Sequence, residues 1–241
     1  MPRFFCDPVQ GETARILGED ARHLSRVFRL RVGERLTLCD LQGFDYQAEA
    51  VSVCDEEVVC RVLSKMPNET EPSVKITLYQ ALPKGDKMEW ILQKAVELGV
   101  SRVVPVETRF CVAKADPKNF EKKRERYRKI VKEAAKQSGR GMIPEVSGIL
   151  KFEEALHEMQ ASEGARILFY EKGGRRVSEL VRPEERAVSI LIGSEGGFSE
   201  EEARACADAG IALGSLGRRI LRCETAPLAA LTLLLAVTNN L

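Results

Sequence analysis

Up to residue 64, apolar and polar positions alternate in short runs broken by turn residues. This period of two predicts strands over 3–6, 13–17, 35–40, 46–53 and 58–64. One stretch departs from it: over 20–29, Leu24, Val27 and Phe28 recur at helical spacing while Arg22, Arg26 and Arg29 project elsewhere, so a helix is expected there. Residues 65–73, KMPNETEPS, carry two prolines and no periodicity, the composition of a linker. Beyond them the period changes. Strands are expected over 75–80, 102–106, 166–170, 187–192 and 211–213, and helices over 87–98, 118–138, 152–159, 200–209 and 226–239. In the first helix Met88, Ile91, Leu92, Ala95 and Leu98 form one apolar stripe, and Gly99 supplies the stop. Such alternation builds a parallel sheet covered by helices on both faces. The chain therefore divides into a β-rich domain over 1–70 and an α/β domain over 74–241.

Composition narrows the class. With 241 residues, 44% hydrophobic and 30% charged, the chain can bury a real core, which excludes disordered and fibrous classes. A net charge of +1 leaves a nucleic-acid partner open, because clustering rather than total charge decides such binding. Lysine and arginine crowd residues 114–140, where Tyr127, Ile130, Val131 and Ala134 mark the buried side of a helix. Arg3, Arg22, Arg26 and Arg29 offer a second basic patch, beside which Phe4 and Phe5 are either core or base-stacking. Seven cysteines, an odd number without a CxxC pair, suit free thiols in a reducing cytoplasm. Two histidines give no basis for a metal site. The longest apolar run, 226–237 with Thr232 inside it, falls short of the roughly 20 residues a membrane span needs, so it reads as a buried terminal helix.

The chemistry concentrates near the C-terminus. The segment ILIGSEGGFS at 190–199 leaves a buried strand and enters a helix through Ser199 and Glu202, which form a capping box. In a parallel sheet, ligands bind beyond the carboxyl ends of the strands, and glycines there let the backbone approach a ligand. Gly193, Gly196 and Gly197 are thus ligand-site candidates, although such glycines can also serve only a tight turn. The segment fits neither GxGxxG nor GxxxxGK[ST]. A second loop, LGSLGRRILRCETAP at 213–227, again joins a short strand to a helix, with Thr225 as N-cap and Pro227 in the first turn.

GSEGGF followed by LGRRILRCETA resembles the ribosomal RNA small-subunit methyltransferase E family. QALPKGDKME at 80–89, QKAVELG at 93–99, QSGR at 137–140 and HLSRVFR at 23–29 extend the resemblance over essentially the whole chain. It implies a PUA-like β-barrel followed by a SPOUT-type α/β methyltransferase domain whose C-terminal chain forms a trefoil knot. The implied methyl donor is S-adenosylmethionine (SAM), held by three loops: Phe169, Tyr170 and Glu171; Ile192, Gly193, Ser194, Gly196 and Gly197; and Leu216, Gly217, Ile220, Leu221, Arg222, Thr225 and Ala226. The implied substrate is N3 of a uridine in small-subunit (16S) ribosomal RNA, and the implied assembly is a homodimer in the cytoplasm. Two positions depart from the family, Ser194 for proline and Lys136 for an acidic residue. Ser194 frees one backbone torsion and keeps the glycines, so binding should survive.

Uridine N3 becomes nucleophilic only as its proton leaves. A positioned arginine can stabilise the uracil anion while a carboxylate or water takes the proton. Arg222, Glu195 and Arg140 are the catalytic candidates. For RNA contact the candidates are Arg3, Arg22, His23, Arg26, Arg29, Lys84, Arg126 and Arg140. Two other classes compete: an RNA-binding ribosome-assembly factor with an inactive methyltransferase-like domain, and a hydrolase using Cys223, which has no histidine nearby in sequence.

Overall fold

A computed structural model describes residues 3–112 and 117–241, with the side chains of 117–119 left aside; Lys114 lies outside the described residues. The chain forms two compact units. The first takes residues 1–71 together with 135–143, and the second takes 72–134 and 144–241.

In the first unit the strands β1 (Arg3–Phe5), β2 (Thr13–Leu17), β3 (Arg35–Cys39), β4 (Phe44–Val53) and β5 (Glu57–Pro67) form one sheet in the order β1-β3-β4-β5-β2. β1 runs parallel to β3, and the other neighbours are antiparallel. Alternation works as the sequence predicts: in β2, Ala14 and Ile16 are buried and Thr13, Arg15 and Leu17 are not. Inward residues meet in a core of Phe4, Ile16, Leu24, Leu36, Leu38, Tyr46 and Val58. Phe4, 3% exposed, belongs to that interior, and Phe5, on the opposite face of β1, is also buried at 7%, which argues against either as a base-stacking residue.

Two boundaries differ from the periodic reading. The supposed linker begins later, because β5 stays paired with β4 as far as Pro67 opposite Phe44. The helix expected over 20–29 is α1 (Gly18–His23) plus a wider π-helical turn at Leu24–Phe28. Arg29, left-handed at φ 53°, ends it, and the Leu30 N–H donates to the Leu24 carbonyl at 3.0 Å. Residues 135–143 join this unit through Glu71. Its carboxylate accepts from Arg140 Nε at 2.8 Å, Arg140 Nη2 at 2.7 Å and the Gly141 amide at 2.7 Å. Lys136, at the position where the family favours an acid, is buried against Asp20.

The second unit holds a seven-stranded sheet of β6 (Lys75–Ala81), β7 (Arg102–Glu107), β8 (Glu145–Val146), β9 (Leu150–Lys151), β10 (Ala165–Phe169), β11 (Ala187–Ile192) and β12 (Ala212–Gly214). The order is β12-β10-β11-β6-β7-β8, with β9 also on β7, and every pairing is parallel. Successive side chains of a strand face opposite sides. Tyr79, Val104, Leu168 and Leu191 pack with Phe152, Ala155 and Met159 of α4 (Phe152–Ala161) and Cys206 of α6 (Glu200–Asp208). The alternate positions Ile76, Leu78, Ile167 and Ile190 are fully buried on the other side, where α7 (Thr225–Val237) packs on β6 and on α2 (Lys87–Glu97). The remaining helices are α3 (Pro117–Gln137) and the short α5 (Val177–Leu180). β8, β9 and α5 escape the periodic reading because two to four residues span about one period and cannot repeat it.

Candidate functional site

β10, β11 and β12 stand side by side and parallel, so the loops after their carboxyl ends emerge at one edge of the sheet. Those loops enclose a cavity of about 490 Å³. Phe169, Tyr170 and Glu171 line it after β10, 192–198 after β11, and 216–224 with Ala226 after β12; Lys87 enters from α2. All the residues expected to hold the cofactor therefore share one wall system, except Thr225. That residue is the first residue of α7 and is preceded by Glu224 as N-cap, so its expected capping role does not occur.

The glycines earn their places by close packing. A Cβ on Gly196 would sit 2.7 Å from Phe110 Cβ, and one on Gly193 would sit 3.0 Å from Gly197 Cα. Gly197 has φ +63°, and a Cβ there would reach 2.7 Å from the Glu171 carboxylate. The Gly197 N–H donates to the Ser194 carbonyl at 3.0 Å, closing the turn. Behind it, Gln80 Nε2 donates to the Gly193 carbonyl at 3.3 Å. Ser199 and Glu202 form the expected capping box that starts α6.

Two residues that line the cavity, Tyr170 and Ser194, carry buried hydroxyls without a hydrogen-bond partner among the described residues. Buried hydroxyls rarely stay unpaired, so both fit a ligand that offers them hydrogen bonds. Shape and lining together suit a nucleoside-sized molecule: backbone can approach through the glycines, while Ile192, Leu216 and Leu221 supply apolar contact.

Charge gathers at one side. Lys87 Nζ lies 2.8 Å from Glu195 Oε1 and 3.6 Å from Glu224 Oε2. The Lys84 amide donates to both Glu195 oxygens, at 3.1 and 3.3 Å. Burial pushes the Glu195 carboxyl up, but the Lys87 ammonium, its own amide and that of Lys84 outweigh this and hold it at about 2. So acidic a group is a poor proton acceptor, which weighs against Glu195 as the base and favours a part in holding the loop. Neither Lys87 nor its double ion pair was legible in the sequence, since 108 positions separate it from Glu195. Burial, together with donation to Glu224 at 3.1 Å, pushes the Cys223 thiol up to about 12. It remains a thiol at neutral pH, which removes the hydrolase reading.

The other singled-out residues are scattered. Arg222 lines the cavity, is exposed, and has no ion pair among the described residues. Arg140 does not line it; its side chain, 3% exposed, is engaged by Glu71 inside the first unit, so a catalytic or RNA-contacting role for it is not supported. Arg3 is likewise turned inward, 2.8 Å from Asp45. Arg26 pairs with Asp55 and Arg126 with Glu89. Arg22, Arg29 and Lys84 are exposed without ion pairs among the described residues, and His23 is half-buried beside Phe28. No group of metal-ligating side chains occurs, and no helix is long and apolar enough to cross a membrane, among the described residues.

Comparison with known proteins agrees with this layout. A model for an RNA methyltransferase PUA domain matches residues 16–63, and one for an RNA methyltransferase domain matches residues 70–235. Ribosomal RNA small subunit methyltransferase E of Bacillus subtilis is 36% identical, covering 96% of this chain and 95% of its own. The Neisseria gonorrhoeae protein of that name, solved bound to S-adenosylmethionine, superposes with a TM-score of 0.88 at 33% identity, covering 98% of this chain and 97% of its own. A Legionella pneumophila protein, solved in complex with the same cofactor, gives 0.87 at 32%, with 97% and 96% covered. Both domain models in sequence order, and identity kept along nearly the full length, mean that the chain belongs to the ribosomal RNA small subunit methyltransferase E family.

Proposed function

We propose that this protein transfers a methyl group from SAM to N3 of a uridine in the RNA of the small ribosomal subunit. The observation that carries the proposal is the cavity at the ends of β10, β11 and β12, with its glycine walls and its two unpartnered hydroxyls. When bound, SAM supplies an electrophilic methyl on a sulfonium. The loops after β10, β11 and β12 would hold it, the glycines by admitting it close to the backbone, Tyr170 and Ser194 through their hydroxyls.

Arg222 is the residue assigned to the reaction itself. Its guanidinium is uncommitted at the cavity wall and can stabilise negative charge on the uracil oxygens as the N3 proton leaves. That stabilisation also lowers the acidity barrier, so water suffices as proton acceptor and Glu195 is left to hold the loop. Arg22, Arg29 and Lys84 are the exposed cations best suited to phosphate contact.

Three further parts of the reading complete it. The knot is part of the reading because the chain belongs to this family; at the end of β12 the loop after β10 packs closely, the Tyr170 amide donating to the Gly214 carbonyl at 3.0 Å and a Cβ on Gly174 lying 2.6 Å from Gly214. A homodimer is supported by α7, apolar almost throughout yet exposing Leu233 and Ala236. Work in the cytoplasm suits seven unpaired thiols.

The test is to incubate the protein and SAM with undermethylated small subunits and to analyse the nucleosides by mass spectrometry. Appearance of 3-methyluridine is expected. SAM binding without any methylated product would mean an assembly factor, and a different methylnucleoside would remove the N3 assignment.

A further inference from the structure

Phe28 is a half-exposed aromatic ring at a place where the fold could have buried or replaced it. Half of its surface, 50%, is open to solvent, while Phe4 beneath it is 3% exposed. The ring is nevertheless braced. It meets Phe4 edge-on at 5.6 Å between centroids, and His23 at 5.1 Å, tilted 51°. Phe4 and His23 also touch edge-on at 6.1 Å. The next residue, Arg29, adopts φ 53°, a left-handed backbone that an arginine seldom takes, and this ends the π-helical turn immediately after the ring.

Positive charge surrounds it in the chain. Arg22 and Arg29, and further along Arg31 and Arg35, are exposed without ion pairs among the described residues. Arg26 is already neutralised by Asp55. An exposed aromatic ring whose neighbours along the chain include exposed arginines matches the needs of an unpaired nucleotide, whose base has a face to stack and whose phosphate needs a cation. A duplex offers no such face. A protein partner would leave the arginines without counter-charge unless it were acidic, so the charge favours RNA.

We infer that Phe28 is a stacking platform for an unpaired base of the RNA substrate, with Arg22 and Arg29 receiving the adjoining phosphates. The inference rests on the reading of the chain as an RNA methyltransferase and goes further by fixing the form of RNA that the first unit takes, single-stranded at the point of contact. Because the ring already packs against Phe4 and His23, part of its rotamer freedom is spent before a base settles on it.

The experiment is fluorescence anisotropy of the full chain with a short labelled oligouridylate, and with an RNA duplex of equal length as comparison. Phe28→Leu should weaken oligouridylate binding about tenfold, within the range of one lost base stack, and leave duplex binding unaltered. Phe28→Tyr should restore it. SAM affinity, read by calorimetry, reports that the variants remain folded. In the unmodified protein, ultraviolet crosslinking to a thiouridine-containing strand should label the peptide that contains Phe28. Equal affinity of wild type and Phe28→Leu, or crosslinks confined to other peptides, would overturn the inference while leaving the methyltransferase reading in place. A change in oligomeric state on Phe28→Leu would overturn it too, by assigning the ring to a second copy of the chain. Absence of salt-dependent RNA binding in the wild type would strike the underlying reading itself, and with it this inference.

Discussion

Lys87 Nζ stands 2.8 Å from Glu195 Oε1 and so ties the first turn of α2 to the loop that follows β11. The same ammonium reaches Glu224 at 3.6 Å, ahead of α7. One cation thus fastens three separate segments around the cavity, and each carboxylate gains a counter-charge from outside its own loop.

A consequence for pH follows from Glu195. Its folded value, about 2, lies below its ordinary 4.5, so ionisation favours the folded state. That contribution is complete above the ordinary value and is lost as pH falls towards the lower one. Glu195→Gln should therefore lower the thermal midpoint at neutral pH, and the gap from wild type should close as pH falls from 4.5 towards 2. Methyl transfer should fall about tenfold, the scale of one charge-assisted hydrogen bond, with no change in the shape of the rate profile near neutrality. An acidic limb present in the wild type and lost in the variant would return Glu195 to the role of base.

Arg222→Ala tests the assigned stabilisation of the uracil anion. Removing one preorganised donor of this kind costs about 10²–10³ in turnover, while ground-state binding changes far less. Single-turnover methylation should drop by that factor, with SAM affinity by calorimetry held within about threefold. A proportionate loss of SAM affinity would make Arg222 a cofactor contact instead.

Gly197→Ala addresses the backbone at the cavity floor. At φ +63° a Cβ costs about 1–2 kcal/mol, and it also obliges the Glu171 carboxylate, 2.7 Å away, to move from the cavity wall. SAM affinity should fall by at least about tenfold. Gly11→Ala is the matched control, at φ +62° with open space around it, and should show the backbone cost in its melting temperature without loss of SAM binding. Similar affinity in both variants would mean that the loop after β11 is not in contact with the cofactor.

Much of this arrangement is legible in the amino-acid order because its signals are local. β2 and β11 appear at the expected residues, the first through strict alternation in TARIL and the second through the apolar run AVSILI, interrupted only by Ser189. GSEGGF and its capping box announce a turn at the end of that strand, and three parallel strands then bring the loops together. What escapes is long-range. Nothing near Lys87 signals Glu195, and nothing near Arg140 signals Glu71, 69 positions earlier. Exposure escapes as well: Phe4, Phe5 and Phe28 are alike as residues, and only packing makes two of them core and one surface.

Glu71 shows how much rests on one such distant partner. It accepts two bonds from Arg140 and one each from the Gly141 and Met142 amides, the last at 3.3 Å. Arg140 is buried, so truncating its carboxylate partner removes charge-assisted bonds where water cannot readily replace them. Glu71→Ala should destabilise the protein by about 1.5–3 kcal/mol, read as a lower denaturant midpoint. Glu71→Gln keeps an acceptor for the amides and loses the charge, so its loss should be smaller. Because none of these residues lines the cavity, SAM affinity of the folded fraction should stay near that of the wild type. A Glu71→Ala protein as stable as the wild type would show that the return of residues 135–143 to the first unit is held by other contacts.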